Sequence, residues 1–251
     1  STGDERGLLQ VVGDATTLGS VLLHATDKKK KEAGGTVRSG SLFRKLSSAM
    51  KALSDFTVIR EWLHEQALEQ AGGESASEEE VKEKEDQCIE NFIVSAAAYC
   101  VASYVLGLGD RHNDNLMTTK FGHFFHIDFG HILGNFKSKF GVKREKAPFV
   151  FTHHMRAVMD DDQFDMFTEL CCTIYNILRA NAPFLVSLCS LAIPCELPEL
   201  QNEKDVMWIY EKLMVDATEE EASEHFKREL RVALDTRMTR INDASHMLAH
   251  A

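Results

Sequence analysis

The chain has 251 residues, with 28 Lys and Arg against 39 Asp and Glu, and a formal net charge of −11 at pH 7. Apolar residues make up 44% and charged residues 27% of the sequence, an ordinary mixture for a folded domain. This composition excludes a wholly disordered or fibrous chain. The negative charge argues against a general nucleic-acid coat, so no nucleic-acid partner is predicted.

The six cysteines include no CxxC pair and mostly lie in apolar stretches, which predicts buried free thiols in a reducing cytoplasm. No signal peptide is recognisable, and the absence of an initiator Met at Ser1 indicates a piece of a longer protein. The longest apolar run, Phe92 to Leu108, is shorter than the roughly 20 residues of a membrane span. We therefore interpret it as a buried core helix.

The first elements are a strand, a helix and a basic segment. Residues Leu8 to Val12 predict a short strand, followed by a turn into a helix with Thr16 or Thr17 as the N-cap. Residues 24–52 are rich in Lys, Arg, Gly and Ser and predict a flexible basic insertion. Solvated surface is the favoured interpretation of this charge, and contact with anionic lipid or a partner is the alternative.

Two further segments precede the core helix. Residues Leu53 to Leu68 predict a helix because apolar side chains recur on one face at Phe56, Ile59, Leu63 and Ala67. Residues 72–87 are acidic and predict a linker that becomes helical near Val81, and the core helix follows from Cys88.

A small β element is predicted in the middle of a mostly helical chain. Leu116–Thr119 and His123–Ile127 flank Lys120-Phe121-Gly122, which is typical of a β-hairpin with a Gly turn. The chain is helical again from Gln163, and Asn202 and Thr218 mark the starts of two later helices. The predicted fold class is therefore α+β, mostly α.

The chemically informative residues lie in Gly109-Asp110-Arg111-His112-Asn113-Asp114-Asn115, with Asp128-Phe129-Gly130 following the hairpin. Asn115 and Asp128 offer hard oxygen ligands of the kind that Mg²⁺ takes alongside nucleotide phosphates, and the hairpin folds them towards each other. His112 titrates near neutral pH and could accept a hydroxyl proton. Asp110 could orient His112 or hold the loop, and Arg111 could pair with a carboxylate or offset phosphate charge. This is the layout of a phosphotransfer site.

Two simpler interpretations were weighed. Asp, Asn and His favour turns, which is a sufficient explanation for Asp110 or Asp114 alone but not for the whole set at this spacing. A zinc site could be drawn from four histidines, His112, His123, His126 and His131. It is disfavoured because His123 and His126 would lie on opposite faces of a strand, with no Cys interleaved.

Three motifs carry a specific family resemblance over residues 104–152. Tyr104 to Met117 resembles the catalytic loop of phosphoinositide 3-kinases, His126 to His131 resembles their metal-binding motif, and Gly134 to Thr152 their activation segment. Gly7 to Thr17 resembles the hinge between the two kinase lobes more weakly. The resemblance implies a protein-kinase-like fold, in which residues 1–251 form the hinge strand, the catalytic β-hairpin and the C-lobe of a phosphoinositide 3-/4-kinase catalytic domain. The N-lobe, with its phosphate-binding loop and Lys, would lie upstream.

The resemblance also implies roles for individual residues. Asn115 and Asp128 would bind Mg²⁺, and His112 would be the base for the inositol 3-hydroxyl, supported by Asp110 and Arg111. The residues that contact ATP would be Gln10, Val11, Val12, Met117 and Ile127. Without the resemblance, an ordinary core strand is the preferred interpretation of residues 8–12.

The activation segment is strongly basic within an acidic chain. Its five cations oppose a single acidic residue, Glu145. They are Lys137, Lys139, Lys143, Arg144 and Lys146. Such a cluster beside a metal-binding Asp suits an anionic lipid headgroup, and a solvated loop is the alternative. Class I members of the family keep two such clusters, class II mainly the second and class III neither, so the implied substrate is phosphatidylinositol 4,5-bisphosphate.

The sequence therefore predicts an ATP- and Mg²⁺-dependent lipid kinase that is cytoplasmic and recruited peripherally to membranes. A regulatory subunit bound to upstream domains is compatible with the resemblance. The isolated piece is expected to be inactive, because half of the phosphate contacts would be missing. The alternatives are a protein kinase of the related large family, disfavoured by the basic activation segment, and a binding module without catalysis, disfavoured by the intact site residues.

Overall fold

The computed structural model describes residues 9–32, 55–134, 138–139, 142–143, 147–195 and 197–236. The helices are α1 (Leu18–Glu32), α2 (Val58–Ala71), α3 (Glu78–Leu106), α4 (His153–Arg156), α5 (Asp161–Ala180), α6 (Ala182–Ala192), α7 (Glu203–Lys212) and α8 (Glu219–Asp235). The strands are β1 (Ala15–Thr17), β2 (Leu116–Thr119), β3 (Phe124–His126), β4 (Ser138–Lys139) and β5 (Val142–Lys143). This mostly helical chain with a small antiparallel sheet confirms the predicted fold class.

Helix α3 is the centre of the fold. It begins with a capping box, in which the Ser77 side chain accepts from the Glu80 backbone and Glu80 accepts from the Ser77 backbone. It packs against α2, α5, α7 and β3 and buries Phe92 and Cys100 among its core residues. By length and composition α3 could cross a membrane, as could α5 taken together with the bent segment after it, but 56% of the apolar window in α3 is buried inside the fold. The prediction of a buried core helix is therefore confirmed.

The predicted strand at residues 8–12 is wrong for the described residues, because 9–12 are irregular and the strand of this region is β1. Leu9 and Val11 are 90% and 82% exposed. β1 forms where a partner is available, since Ala15 and Thr17 pair with Thr119 and Met117 of β2. The expected N-cap is confirmed at Thr17, whose Oγ1 accepts from the Ser20 N–H at 3.1 Å.

The predicted basic loop is wrong for residues 24–32, which continue α1, and residues 33–52 lie outside the described residues. Lys28 of α1 forms an ion pair with Glu65 of α2, which helps to explain why the helix continues into this basic stretch. Helix α2 buries Ile59, Leu63 and Ala67 as predicted, but it begins at Val58.

The acidic segment 72–87 is a linker only as far as Ser77, and α3 begins three residues before Val81. Three glutamates in the first turn of α3 favour this early start, because negative charge stabilises a helix N-terminus.

The predicted hairpin is formed by β2 and β3, and with β1 it makes a sheet in the order β1-β2-β3. Gly122 turns the chain with φ +87°, and its missing side chain leaves room for the backbone of Cys88 in α3. Because paired residues share a face, the sheet has a buried face towards α3 and a more open face. The buried face carries Leu116, Thr118, Phe124 and His126.

The helices after the site are set by capping boxes at Asp160, Asn202 and Thr218, which confirms helices in the predicted regions. Arg179 of α5 is only 8% exposed, and it ties α5 to the segment after α7. Its Nε donates to the Leu213 carbonyl at 2.9 Å, and its Nη2 donates to the carbonyls of Met214, at 3.0 Å, and Ala217. All six cysteines are free thiols, and four of them are buried.

Candidate active site

The loop of residues 109–115 and the segment of residues 127–134 lie side by side, joined by backbone hydrogen bonds. The Gly109 N–H donates to the His131 carbonyl at 2.9 Å, and the Ile127 N–H donates to the Asn115 carbonyl at 3.1 Å. The Leu133 N–H donates to the Leu106 carbonyl at 2.7 Å. The pairing begins where α3 ends and continues where β3 ends. It therefore brings together the two motifs that the sequence separates by the hairpin.

Arg111 joins these two segments through backbone carbonyls. Its Nε donates to Gly109 O at 2.7 Å, its Nη1 donates to Ile127 O at 2.6 Å, and its Nη2 donates to Asp128 O. The guanidinium has five N–H donors in a planar fork, so one side chain can hold three carbonyls at once. The sequence had indicated a carboxylate or phosphate partner for Arg111. The structure adds a role for Arg111 in holding the backbone that carries Asp128.

Asp110 and Asp128 both have positive φ, +56° and +58°, a region that non-Gly residues rarely enter. The Asp110 carbonyl accepts a hydrogen bond from Asn115 Nδ2 at 2.8 Å, and the Asp128 carbonyl accepts from Arg111. Unusual backbone of this kind costs roughly 1–3 kcal/mol at each residue and is concentrated at functional sites. Each of the two predicted motifs therefore contains a residue with the kind of strained backbone that is common at functional sites.

The donor set fits a hard divalent cation. Asn115 is 6% exposed, and its Nδ2 donates to the Asp110 carbonyl, so Oδ1 is the side-chain atom that could bind a cation. Asp128 follows directly after Ile127, the residue that pairs with Asn115, and its carboxylate offers a second oxygen. Mg²⁺ prefers such oxygens and usually completes its shell with water and phosphate. Within the described ranges no group of three or more His, Cys, Asp or Glu could hold a metal, so the four-histidine site is not formed.

His112 is oriented by Asp114. The Asp114 N–H donates to His112 Nδ1 at 3.3 Å, and one Asp114 carboxylate oxygen lies 3.8 Å from the same nitrogen. Helix α1 supports this turn, because the Gly19 N–H donates to the Asn113 carbonyl at 3.0 Å. A Cβ at Gly19 would overlap the Asp114 carboxylate. From the sequence alone Asp114 is explained as a turn residue, and the signal for its further role is Gly19 in the first turn of a helix.

His126 lies behind the site and is 3% exposed. Its Nδ1 lies 3.3 Å from Ser103 Oγ, and its ring stacks on Tyr99 with centroids 5.0 Å apart. Burial, together with the nearby Arg111 charge, lowers the pKa of His126 to about 3. At neutral pH this imidazole is therefore uncharged, and it contributes packing beneath the hairpin.

The residues expected to contact ATP are only partly brought together. Met117 and Phe125 are paired in register, and Ile127 follows on the same face, which is the open face of the sheet. Met117 and Ile127 thus lie together as expected, and Phe125 joins them although the sequence analysis did not name it. The predicted hinge residues Gln10, Val11 and Val12 are exposed and irregular. The short segment between them and β1 is fixed by one backbone bond, in which the Lys120 N–H donates to the Asp14 carbonyl at 2.9 Å.

The described part of the activation segment includes a short antiparallel hairpin, β4 and β5. Its register pairs Ser138 with Lys143 and Lys139 with Val142. The backbone therefore sets the first basic cluster next to the start of the second. The other three predicted headgroup residues, Lys137, Arg144 and Lys146, lie outside the described residues.

Comparison with known proteins identifies a family and several relatives for this chain. The family model described as phosphatidylinositol 3- and 4-kinase matches residues 1–202. Phosphatidylinositol 3-kinase 2 of Dictyostelium discoideum is 39% identical over 253 residues, covering 100% of this chain and 12% of the relative. Phosphatidylinositol 3-kinase 1 of the same organism is 39% identical over 254 residues, covering 100% and 14%. The human phosphatidylinositol 3-kinase C2 domain-containing subunit gamma is 33% identical over 254 residues, covering 99% and 15%.

The chain thus spans between 12% and 15% of the length of these relatives. The family match and the alignments with these relatives include residues 109–115, the β2–β3 hairpin and residues 127–134. The chain belongs to the phosphatidylinositol 3- and 4-kinase family.

Proposed function

We propose that the longer protein containing this chain transfers the γ-phosphoryl group of ATP to the 3-hydroxyl of a phosphatidylinositol lipid. The observation that carries the proposal is the paired backbone of residues 109–115 and 127–131, fastened by Arg111. Because of this pairing, Asn115 and Asp128, which carry the amide oxygen and the carboxylate, lie on adjacent stretches of backbone. The names of the relatives, phosphatidylinositol 3-kinases, support the lipid substrate class.

Asn115 and Asp128 would hold Mg²⁺, which when bound offsets the charge on the nucleotide phosphates during transfer. Asp128 depends on Arg111 for its backbone position, and Asn115 depends on Asp110. Positioning accounts for much of phosphoryl-transfer catalysis, because the protein does little covalent chemistry of its own. Loss of either support is therefore expected to lower turnover, even though neither supporting group reacts.

His112 would accept the proton of the 3-hydroxyl. In the arrangement described, Nδ1 accepts from the Asp114 backbone, so a neutral ring carries its proton on Nε2. Nε2 becomes the accepting nitrogen in the other tautomer, in which Nδ1–H faces the Asp114 carboxylate 3.8 Å away. We therefore assign to Asp114 a positioning role for His112, in addition to the supporting role that the resemblance implies for Asp110.

The finer substrate assignment is phosphatidylinositol 4,5-bisphosphate, with less phosphorylated inositides as weaker substrates. The support is the basic activation segment, whose β4 and β5 strands bring the first cluster next to the second. Cations near an acidic membrane surface contribute about 1 kcal/mol each to binding, so the same segment favours peripheral recruitment from the cytoplasm. ATP would be contacted from the hinge by Gln10, Val11 and Val12 and from the open face of the sheet by Met117 and Ile127. Regulatory subunits would act through parts of the longer protein upstream of the hinge.

The test is a lipid-kinase assay on the full-length protein with ATP and Mg²⁺, using vesicles of phosphatidylinositol or its 4,5-bisphosphate. Chromatographic separation of the deacylated products identifies the position of the new phosphate. A 3-phosphate is expected, and a 4-phosphate would contradict the proposed reaction. A serine- and threonine-containing peptide library is assayed in parallel, and phosphorylation of peptide but not lipid would instead identify a protein kinase.

A further inference from the structure

The indole of Trp208, in helix α7, lies against two glycines at the root of the candidate site. A Cβ added to Gly107 would come within 2.7 Å of indole Cε2 and Cζ2. A Cβ added to Gly134 would come within 2.6 Å of indole Cε3 and 2.9 Å of Cη2, and closer still to Cζ3. Real Cβ atoms are not found at such distances, so the ring fills the space that each glycine leaves open.

The two glycines are paired with each other. Gly107 ends helix α3 with φ +56°, and Gly134 has φ +75°, so each has backbone that a side chain rarely tolerates. The Gly134 N–H donates to the Gly107 carbonyl at 3.4 Å, next to the shorter bond from Leu133 to Leu106. Gly107 lies three residues before Asp110, and Gly134 lies six residues after Asp128. Trp208 therefore contacts both segments at the point where their pairing begins.

Helix α7 is fixed strongly enough to serve as a support. Its N-terminus has a capping box at Asn202, and the Tyr175 hydroxyl donates to the Lys212 carbonyl at its last turn, at 2.6 Å. The Lys212 ammonium lies 5.1 Å from the centroid of the Trp208 ring and 4.6 Å from that of Tyr104, which belongs to α3. Cation–π contacts of this kind hold the indole and the end of α3 in one cluster.

We propose that Trp208 is a positioning residue for phosphoryl transfer, setting the separation between the catalytic loop and the metal-binding segment by closing over Gly107 and Gly134. The inference rests on the proposed function for its role in the reaction, but the contact itself is independent of any activity. Asn115 and Asp128 are on opposite sides of this pairing, so a change in its spacing changes the distance between the two metal-ligand oxygens. A misplacement of about 1 Å at a reacting centre can cost 100-fold in rate.

The first experiment replaces Trp208 in the full-length protein by Ala and by Phe. Trp208→Ala is expected to lower kcat by about tenfold to 100-fold and to raise the Mg²⁺ concentration needed for half-maximal activity several-fold. The KM for ATP should change less than kcat, because a positioning contact acts mainly in the transition state and not on ground-state binding. Trp208→Phe keeps an aromatic ring over the glycines and should recover most of the loss.

The matched control is Ile209→Ala on the same helix. Ile209 is 1% exposed and contributes to the same core, so its truncation destabilises the fold by a comparable mechanism while leaving the indole in place. Its Mg²⁺ dependence should equal that of the wild type. Met207→Ala, at a neighbouring position that is 45% exposed, is the second control and should leave all constants unchanged. Equal Mg²⁺ dependence of Trp208→Ala and Ile209→Ala would overturn the proposal.

Hydrogen exchange gives a readout that does not need activity. Trp208→Ala should accelerate exchange at the amides of Gly109, Leu133 and Gly134, which form the pairing, more than Ile209→Ala does. Unchanged exchange at these amides would refute the contact. If the wild-type protein has no lipid-kinase activity, but Trp208→Ala still exchanges faster than Ile209→Ala at these amides, the proposed function is refuted and the packing role of Trp208 remains.

A double-mutant cycle completes the test. Gly134→Ala places a Cβ against the indole and is expected to be strongly deleterious. Adding Trp208→Ala removes that overlap, so the double variant should lose less than the sum of the two single losses. Additive losses would show that the ring and the glycine do not act on each other.

Discussion

One substitution at Arg111 can distinguish two roles for this side chain, holding backbone carbonyls or offsetting the charge of the phosphates. Arg111→Lys keeps the positive charge but replaces a planar fork of five donors by a single ammonium. If Arg111 acts mainly by offsetting phosphate charge, the Lys variant should keep most of its activity. If it acts through its carbonyl partners, the variant should fail, because an ammonium cannot span Gly109, Ile127 and Asp128 together.

The size of the loss follows from the number of hydrogen bonds. Of the three carbonyls, a Lys ammonium can reach one, so two charge-assisted bonds are lost. Such bonds contribute about 1.5–3 kcal/mol each, and discounting for the partly exposed position leaves about 2–4 kcal/mol. At 1.4 kcal/mol for each factor of ten, the correctly paired arrangement becomes about 30-fold to 700-fold less populated. Turnover should fall by at least about 30-fold.

The assay is kcat on lipid vesicles at saturating ATP and Mg²⁺, with hydrogen exchange at the Ile127 amide as the structural readout. That amide donates to Asn115 across the pairing, so it should exchange faster in the variant. Arg231→Lys, at an exposed position of α8, is the matched control and should change neither measurement. Arg111→Lys with near-normal turnover and an unchanged Ile127 exchange rate would refute the assignment of Arg111 to the backbone.

Four further predictions concern the metal, the headgroup, the core and the isolated chain. Asp128→Ala in the full-length protein should abolish phosphoryl transfer while changing the free energy of unfolding by less than about 1 kcal/mol, because an exposed carboxylate adds little packing. Near-normal activity of this variant at saturating ATP and Mg²⁺ would exclude Asp128 as a metal ligand. Lys143→Ala with Arg144→Ala should reduce activity on the bisphosphate far more than on phosphatidylinositol at fixed ionic strength and phosphatidylserine, whereas equal losses would indicate nonspecific membrane attraction. Arg179→Met should lower the free energy of unfolding by about 3 kcal/mol in a denaturant titration, since one buried and two partly buried carbonyls lose their donor. A loss below about 1 kcal/mol would contradict that contribution. The isolated chain should show no lipid-kinase activity and only weak Mg-ATP binding in calorimetry, and micromolar binding by a clean monomer would argue that the hinge and C-lobe suffice.

Local patterns in the sequence determined much of this protein. The hairpin between Thr119 and Phe124, the helix starts after Asn202 and Thr218, and the buried face of α2 were predicted because each depends on residues within a few positions of one another. The motif residues from Asp110 to Asp128 were found for the same reason, since the hairpin that brings them together is itself a local structure.

The tertiary structure decided what depends on distant segments. The strand near the hinge forms at Ala15 and not at Leu9, because a strand needs a partner and β2 offers one only to residues 15–17. The bonds of Arg111 to the carbonyls of Ile127 and Asp128, and the contact of Gly19 with Asp114, join residues that are 16 to 95 positions apart. The spacing of residues along the chain does not predict such contacts. They arise when α1 and α7 pack against the ends of α3 and the sheet, where close approach and the need to satisfy buried carbonyls select Gly and Arg.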